Sequence, residues 1–463
     1  MAVQNEEREC PQCKRLEIRI AELEAKIAQL GKNSSNSSKP PSSDIAKPGG
    51  QHKKTKKKRK RGAQPGHARH QRAAFQENEI DRFWDYTFDT CPDCGHDVIP
   101  SDQPPRVMQQ IDVVATPTVV SEHRSQAFWC EHCQKTHFAP VHEEVRKAGL
   151  VGPRLTALIA YLKGACHCSF STIRKFLRDV VGVTISRGQL RKVCAKVSDS
   201  LQDAYDGLLR ALPAEDFLNV DETGHKDNGQ RMWTWCFRAA TFTLFKIDPS
   251  RASSVLVDVL GEEFDGVLGC DYFSAYRKYM GDFGVLVQFC LAHLIRDVKF
   301  LVKHPDSKNR AYGKRVLASI REMFGVIHRR DKMTKAGFAR RLEETSAEVQ
   351  RQATYRVPAT GEARNLANRF HRHGESYLRF VTTPGIEPTN NLAEQAIRFV
   401  VIDQRITQGS RSEAGQRWLE RIWTTIATCT HNGISVFDFL HESVTAHFQG
   451  VAGPSLVAID NSS

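Results

Sequence analysis

Three acidic residues stand where apolar stretches give way: Asp221 in Val220-Asp221-Glu222-Thr223, Asp271 in Gly269-Cys270-Asp271-Tyr272, and Glu394 in Asn390-Asn391-Leu392-Ala393-Glu394. Carboxylates brought to one edge of a sheet are hard oxygen ligands, suited to Mg²⁺ or Mn²⁺. Two such ions about 4 Å apart can neutralise a phosphodiester and align a nucleophile in line with the leaving oxygen. Taken singly, an acid at a strand end is most often a cap or turn residue, so the pattern alone does not decide among them. Glu387 and Glu222 compete for the same role. Glu387 precedes Pro388 and the expected cap Thr389, outside the helix, and Glu222 should face away from Asp221, because adjacent strand residues point to opposite sides.

Thiol chemistry forms a second group. Six of the 13 cysteines fall in three Cys-x-x-Cys pairs. Without an apolar leader at the start of the chain, a reducing cytoplasmic setting is expected, where such pairs point to metal rather than to disulfides. Cys91 and Cys94, followed by Gly95 to relieve the turn, face Cys130 and Cys133 across 35 intervening residues whose β-branched content predicts a hairpin. Four thiolates make a closed, structural zinc site. The third pair, Cys10 and Cys13, is either free or a bridge: in a parallel dimer, two copies could share one zinc ion.

The run Lys53, Lys54, Lys56, Lys57, Lys58, Arg59, Lys60 and Arg61 carries eight of the charges behind a net +13. So dense a run repels itself and stays solvated. It suits the phosphates of DNA, where counterion release gives affinity without sequence choice. No apolar segment approaches the roughly 20 residues needed to span a bilayer. A cytoplasmic, nucleoid-associated location follows as the expectation.

These groups need elements to position them, and the chain reads as multidomain α+β. Residues 1–31 hold the first cysteine pair and a short coiled coil, in which Leu16, Ile20, Leu23, Ile27 and Leu30 alternate spacings of four and three. Ile at a and Leu at d favour a parallel pair, hence a homodimer or larger assembly. Residues 32–75 are a disordered basic linker, and 76–148 a zinc-ribbon-like domain. Residues 149–213 are helical and resemble a helix-turn-helix near Gly182, with Ser186 as a cap and Arg187, Arg191 and Lys192 opening the last helix. From 214 to 445, three strands, a helix, a strand, a second strand and a helix follow in the order of a ribonuclease-H-like α/β core. A charged helical insertion falls at about 305–382, and residues 446–463 form a tail. In such a sheet the first and fourth strands are neighbours, so Asp221 and Asp271 should emerge together.

The chain resembles the large transposase of the insertion-sequence-66 family of bacterial mobile elements. The likeness rests on LGKNSSNSSKPPSSD, RGAQPGH, the second and third cysteine pairs, VDET, CDYFSAY, CLAHLIRD, EPTNNLAEQAIR and QGSRSEAG. It places the family's acidic triad on Asp221, Asp271 and Glu394, and its Cys-x-x-His element on Cys290 and His293. Two ligands make an incomplete metal site, so a packed, hydrogen-bonded pair is the expected reading of Cys290 and His293. Leu291 stands where the family often has an aromatic residue. Gln395 stands where it often has arginine, which bears on DNA contacts there together with Arg398.

The resemblance implies a transposase using two Mg²⁺ ions, with DNA ends and target as partners and accessory proteins of the same element as possible helpers. Two rivals stand beside it: a non-catalytic DNA-binding regulator derived from a transposase, and a structure-selective nuclease of the same fold. The terminal-repeat sequence and the target preference are not legible in the chain.

Overall fold

The computed structural model describes residues 11–30, 74–87, 89–90, 92–97, 99, 107–111, 114 and 117–457. The basic run at 53–61 and Cys10 and Cys91 lie outside them, as does the side chain of Cys13. The chain divides into two compact units, residues 49–121 and the remainder.

In the smaller unit, the Gln109 side chain holds both backbone groups of Phe75, accepting from its N–H at 2.7 Å and donating to its carbonyl at 2.9 Å. A bridge between Thr90 and Asp97 closes the turn that carries Cys94. Gly95 adopts φ +75°, the left-handed backbone expected of the glycine after a cysteine knuckle.

The larger unit begins with α1 (Pro11–Leu30). Its stripe residues Leu16, Ile20, Leu23 and Ile27 are 45–68% exposed. The helix is therefore built as the heptads require, with its apolar seam uncovered in the single chain. One expectation fails next. The hairpin predicted between the second and third cysteine pairs is instead β1 (Ala127–Cys130) and β2 (Lys135–Phe138), wrapped around the Cys130–Cys133 turn. The described residues from 107 to 126 form no strand. Alternation there was misleading because a two-stranded ribbon needs a covered face, and Val114, Val119 and Val120 are at least 70% exposed.

After α2 (Glu143–Ala148), the helices α3 (Pro153–Gly164), α4 (Phe170–Phe176) and α5 (Arg187–Ser200) enclose a small core of their own, built on Ile159, Ile173, Leu177, Ile185 and Leu190. Ser186 caps α5, its hydroxyl accepting from the Gln189 N–H at 3.1 Å, and Gly182 makes the preceding turn at φ +76°. The long last helix expected from the sequence breaks at Leu201 into α5 and α6 (Gln202–Ala211).

The five-stranded sheet comprises β3 (Phe217–Asp227), β4 (Gln230–Arg238), β5 (Thr243–Asp248), β6 (Val267–Cys270) and β7 (Leu286–Phe289), in spatial order β5-β4-β3-β6-β7. The first three are antiparallel, while β6 and β7 run parallel to β3. The helices α7 (Ser254–Leu260) and α8 (Ser274–Phe283) connect β5 to β6 and β6 to β7, and α9 (Leu291–Val302) follows β7. The insertion is three long helices, α10 (Ser307–Ile327), α11 (Lys335–Thr354) and α12 (Gly361–Thr382). The fold closes with α13 (Asn391–Thr407), α14 (Glu413–His431) and α15 (Val436–Gln449). No helix among the described residues is long and apolar enough to cross a membrane.

The edge strand β5 would expose every second N–H to another chain. Helix α14 answers with polar side chains four residues apart: Thr428, Thr424 and Glu420 accept from the N–H groups of Thr243, Phe245 and Ile247 at 3.2, 3.0 and 2.6 Å. Trp423 and Trp235 are fully buried in the core beneath. At the far end of β3, Ser410 pairs with Asp227 and donates its N–H to Lys226. Gly409 makes this possible, with φ +89° and no room for a side chain: a Cβ would fall 2.1 Å from the Lys226 carbonyl oxygen. Gly409→Ala should therefore cost about 3 kcal/mol or more of stability. A denaturation midpoint equal to that of the parent would refute this account of the loop.

Candidate active site

The sheet register places the first two acids. Parallel pairing of β3 with β6 runs from Phe217↔Val267 to Asn219↔Gly269. Asp221 and Asp271 each lie two residues beyond the last pair, so they stand side by side where β6 stops. Asp221 does not end its strand as the sequence suggested. β3 continues to Asp227 against β4, with Asp221 opposite Cys236; what ends there is the parallel partner.

Asp271 accepts the Phe273 N–H at 2.8 Å, turning the chain into α8. Asp221 accepts the Glu222 N–H at 3.0 Å. Glu394 lies in the first turn of α13, where the helix dipole favours a carboxylate. The cap of that helix is Asn390 rather than the expected Thr389, and its side chain makes no capping bond. Instead the Asn390 amide donates to the Val220 carbonyl at 2.8 Å.

That contact belongs to a frame joining the segments behind all three acids. The Cys290 N–H donates to the Cys270 carbonyl at 2.8 Å. The Asn390 N–H donates to the Cys290 Sγ at 3.1 Å. With the Asn390–Val220 bond, the frame links the residue before Asp271, the cap of α9, the cap of α13 and the residue before Asp221.

The electrostatics follow from this convergence. Burial, then Glu222, Asp271 and Glu394, hold the Asp221 carboxyl well above the usual carboxylate range. Burial and Glu222 push Asp271 up to about 7. The donor set fits a divalent cation: hard oxygens gathered at one edge, whose mutual repulsion a cation would relieve, and a buried Glu394 Oε1 with no hydrogen-bond partner.

Glu222 is not part of that set. It is buried, salt-bridged to Arg251 at 2.5 Å and hydrogen-bonded to the Tyr276 hydroxyl. Arg251 in turn lies over the Phe273 and Trp233 rings, at 3.8 and 4.6 Å from their centroids. Trp235 is a core residue, whereas Trp233 is only partly buried, with the guanidinium groups of Arg231 and Arg251 each 4.6 Å from its ring centroid. Glu387 is exposed in the loop before α13.

Cys290, His293 and Glu394 bring their ligand atoms within 4.8 Å of one another, so the Cys-x-x-His pair touches the third acid. Arg296 was not foreseen, although its spacing of three from His293 was visible. Its guanidinium donates to His293 Nε2 at 3.2 Å and to Glu394 Oε2 at 3.3 Å. Arg398 is exposed one turn beyond Glu394. Arg187, Arg191 and Lys192 are exposed along the start of α5. Nearby, Arg174, Lys175 and Arg178 line a hollow of about 210 Å³, a basic feature the sequence reading missed. Cys94 and Cys133 are exposed, and Cys133 Sγ lies 3.2 Å from His137 Nε2.

Residues 148–417, more than half of the chain, match the model of the Transposase IS66 family. The chain belongs to that family. The matched segment contains Asp221, Asp271, Cys290, His293 and Glu394. Residues 2–73 match a family of unknown function, DUF6444. The Uncharacterized protein y4qI of Sinorhizobium fredii (strain NBRC 101917 / NGR234) is 24% identical over 352 residues, covering 69% of this chain and 64% of that relative. This IS66-family chain thus spans less than two thirds of the length of the relative.

Proposed function

We propose that the protein is a DNA transposase of the DDE type, with a ribonuclease-H-like core in which Asp221, Asp271 and Glu394 hold two Mg²⁺ or Mn²⁺ ions. The observation that carries this reading is the frame just described, which joins the segments behind three acids 50 and more residues apart in sequence, within a segment matching a transposase family. Bound there, the ions neutralise the phosphate and activate an oxygen nucleophile. The chain's own part is to hold the carboxylates at fixed spacing and to exclude bulk water on the side of the buried Glu222–Arg251–Tyr276 network. Water first cleaves a P–O3′ bond, leaving a 3′-hydroxyl and a 5′-phosphate. The 3′-hydroxyl then attacks a target phosphodiester and displaces a target 3′-oxygen, so one ester bond replaces another with no covalent protein intermediate. A joined donor–target product formed with Mg²⁺ would separate this function from a nuclease, and no nicking at all would favour the non-catalytic regulator.

The DNA contacts fall into two classes. Arg187, Arg191 and Lys192, exposed at the start of α5, are assigned to DNA-end contacts, with Arg174, Lys175, Arg178 and Arg398 as further phosphate partners. The run Lys53–Arg61 supplies non-specific affinity. Replacing its eight charges by glutamine should flatten the slope of log affinity against log salt and leave preference for the element's ends largely intact. An unchanged slope with lost end preference would contradict this assignment.

Cys91, Cys94, Cys130 and Cys133 are assigned one structural zinc ion, on the strength of their spacing. In support, hydrogen bonds from Cys133 and from the His132 backbone lower the Cys130 thiol pKa, as a metal-ligating thiolate needs. Cys130→Ser should lose about one zinc per chain by metal analysis; wild-type protein purified without zinc would end the assignment. The exposed seam of α1 is assigned to a parallel homodimer, with Cys10 and Cys13 as optional bridging ligands. Accessory proteins of the element remain possible partners, and the nucleoid is the expected location.

A further inference from the structure

Cys290, His293 and Arg296 recur at every third residue, at the cap and in the first two turns of α9, and all three reach the start of α13. Cys290 Sγ accepts the N–H of the α13 cap, Asn390, at 3.1 Å. Arg296 donates through one nitrogen to Glu394 Oε2 and through another to His293 Nε2, at 3.3 and 3.2 Å. His293 Nδ1 lies 3.4 Å from Glu394 Oε1.

Arginine can only donate. His293 Nε2 must therefore be the accepting nitrogen, which leaves the proton on Nδ1, 3.4 Å from Glu394 Oε1 without a hydrogen bond between them.

The same atoms suggest a rival, a zinc ion held by Cys290, His293 and Glu394. The proton inventory opposes it. A metal on Nδ1 would leave the hydrogen on Nε2, facing an N–H of Arg296, whereas a ligating imidazole normally turns its far nitrogen to a carboxylate, carbonyl or water.

The geometry points to a positioning role: Cys290, His293 and Arg296 form one face of α9 that fixes the third acid, Cys290 by seating the start of α13, Arg296 by donating to Glu394 Oε2 and His293 by accepting from Arg296 and lying against Oε1. Arg296 secures Oε2, and the loose 3.4 Å contact leaves Oε1 available to a cation. Hydrogen bonds of this kind are often long before the reactive complex assembles. This inference rests on the acid-triad reading of Glu394.

The test measures Mn²⁺ binding to the full chain without DNA, from the electron paramagnetic resonance of the free ion. His293→Leu exchanges a neutral side chain for a neutral one, so any change reports orientation rather than charge. Its Mn²⁺ affinity should fall about five- to tenfold, the scale of freeing one long side chain. His293→Asn, whose amide nitrogen falls near the Nδ1 position, should restore affinity to within about twofold of the parent.

Should His293→Leu fail to fold, the partly exposed Arg296 offers a second variant. One ammonium cannot serve both Nε2 and Oε2, so Arg296→Lys should lower Mg²⁺-supported nicking about tenfold relative to Mn²⁺-supported nicking. Mg²⁺ demands the stricter coordination geometry, and a merely structural defect would lower both alike. Unchanged Mn²⁺ affinity in a folded His293→Leu would overturn the proposal. So would an unchanged Mg²⁺-to-Mn²⁺ ratio in Arg296→Lys, or the loss of one bound zinc per chain in Cys290→Ser, which would make this face a metal site. Asp221→Asn is the control for the underlying reading. If it loses Mn²⁺ while His293→Leu does not, only the positioning role fails. If it binds Mn²⁺ like the parent, the triad itself is wrong.

Discussion

Asp221→Asn, Asp271→Asn and Glu394→Gln should each lower Mg²⁺-dependent DNA nicking at least about a thousandfold while leaving DNA affinity within a few-fold of the parent. Each substitution keeps the side-chain volume and removes one anionic oxygen from a set that works only when complete. For the same reason double variants should be little worse than single ones, since removing a second ligand from a site already unable to hold its ions costs little more. Affinity should persist because the basic surfaces, at α5 and in the run at 53–61, are separate in sequence from the acids. The measurement is single-turnover nicking of a DNA carrying the element's ends, with binding followed in Ca²⁺. Activity within about tenfold of the parent in any one variant would remove that residue from the site. Glu222→Gln is the informative contrast. Glu222 holds Arg251 and Tyr276, so its loss should lower stability, and any loss of nicking should track that unfolding.

In metal-free protein, Asp271→Asn should raise stability at pH 8 by on the order of 2–4 kcal/mol. Asp271 is pushed up to about 7 by burial and by Glu222, against about 4 in an unfolded chain. A carboxyl group raised in this way contributes its stability in full below about pH 4. It loses that contribution as pH rises through 7, because the unfolded chain releases the proton more readily. Asparagine has no proton to lose, so the advantage of the variant should be absent below pH 4 and full above about 7.5. On the proposed two-ion reading, Mg²⁺ should close the gap from the other side, raising the parent's unfolding midpoint more than the variant's. Thermal melts in chelator and in Mg²⁺, at pH 4 and pH 8, test both statements. A variant no more stable than the parent at pH 8 in chelator would show that the acids do not strain one another.

The buried carboxyl group proposed to hold a cation is thus the one whose ionisation weakens the empty fold, a common bargain at functional sites.

Much of this protein was legible before any coordinates. Local signals carry that part: the heptads marked α1, and Ser186 and Gly182 marked the turn into α5. The order of strands also implied that β3 and β6 are neighbours, because short crossovers leave few alternatives, and the sheet has that order. Three things needed the folded chain, each because it depends on partners distant in sequence. The valine-rich stretch before β1 alternates as a strand does, yet its described residues Val114, Val119 and Val120 are exposed, and pattern cannot report whether a face is covered. Asn390 displaces Thr389 as the cap of α13 because its amide is used by Val220, 170 residues away. Glu222 and Asp221 are equivalent to any reading of composition. Only the tertiary structure spends Glu222 on Arg251 and Tyr276 and gathers Asp221 with Asp271 and Glu394. The sequence by itself therefore determined which residues could do the chemistry and which elements carry them. Which acid is neutralised by the protein and which is left for a cation was decided by packing, since a charge takes its role from whatever lies within a few ångströms of it.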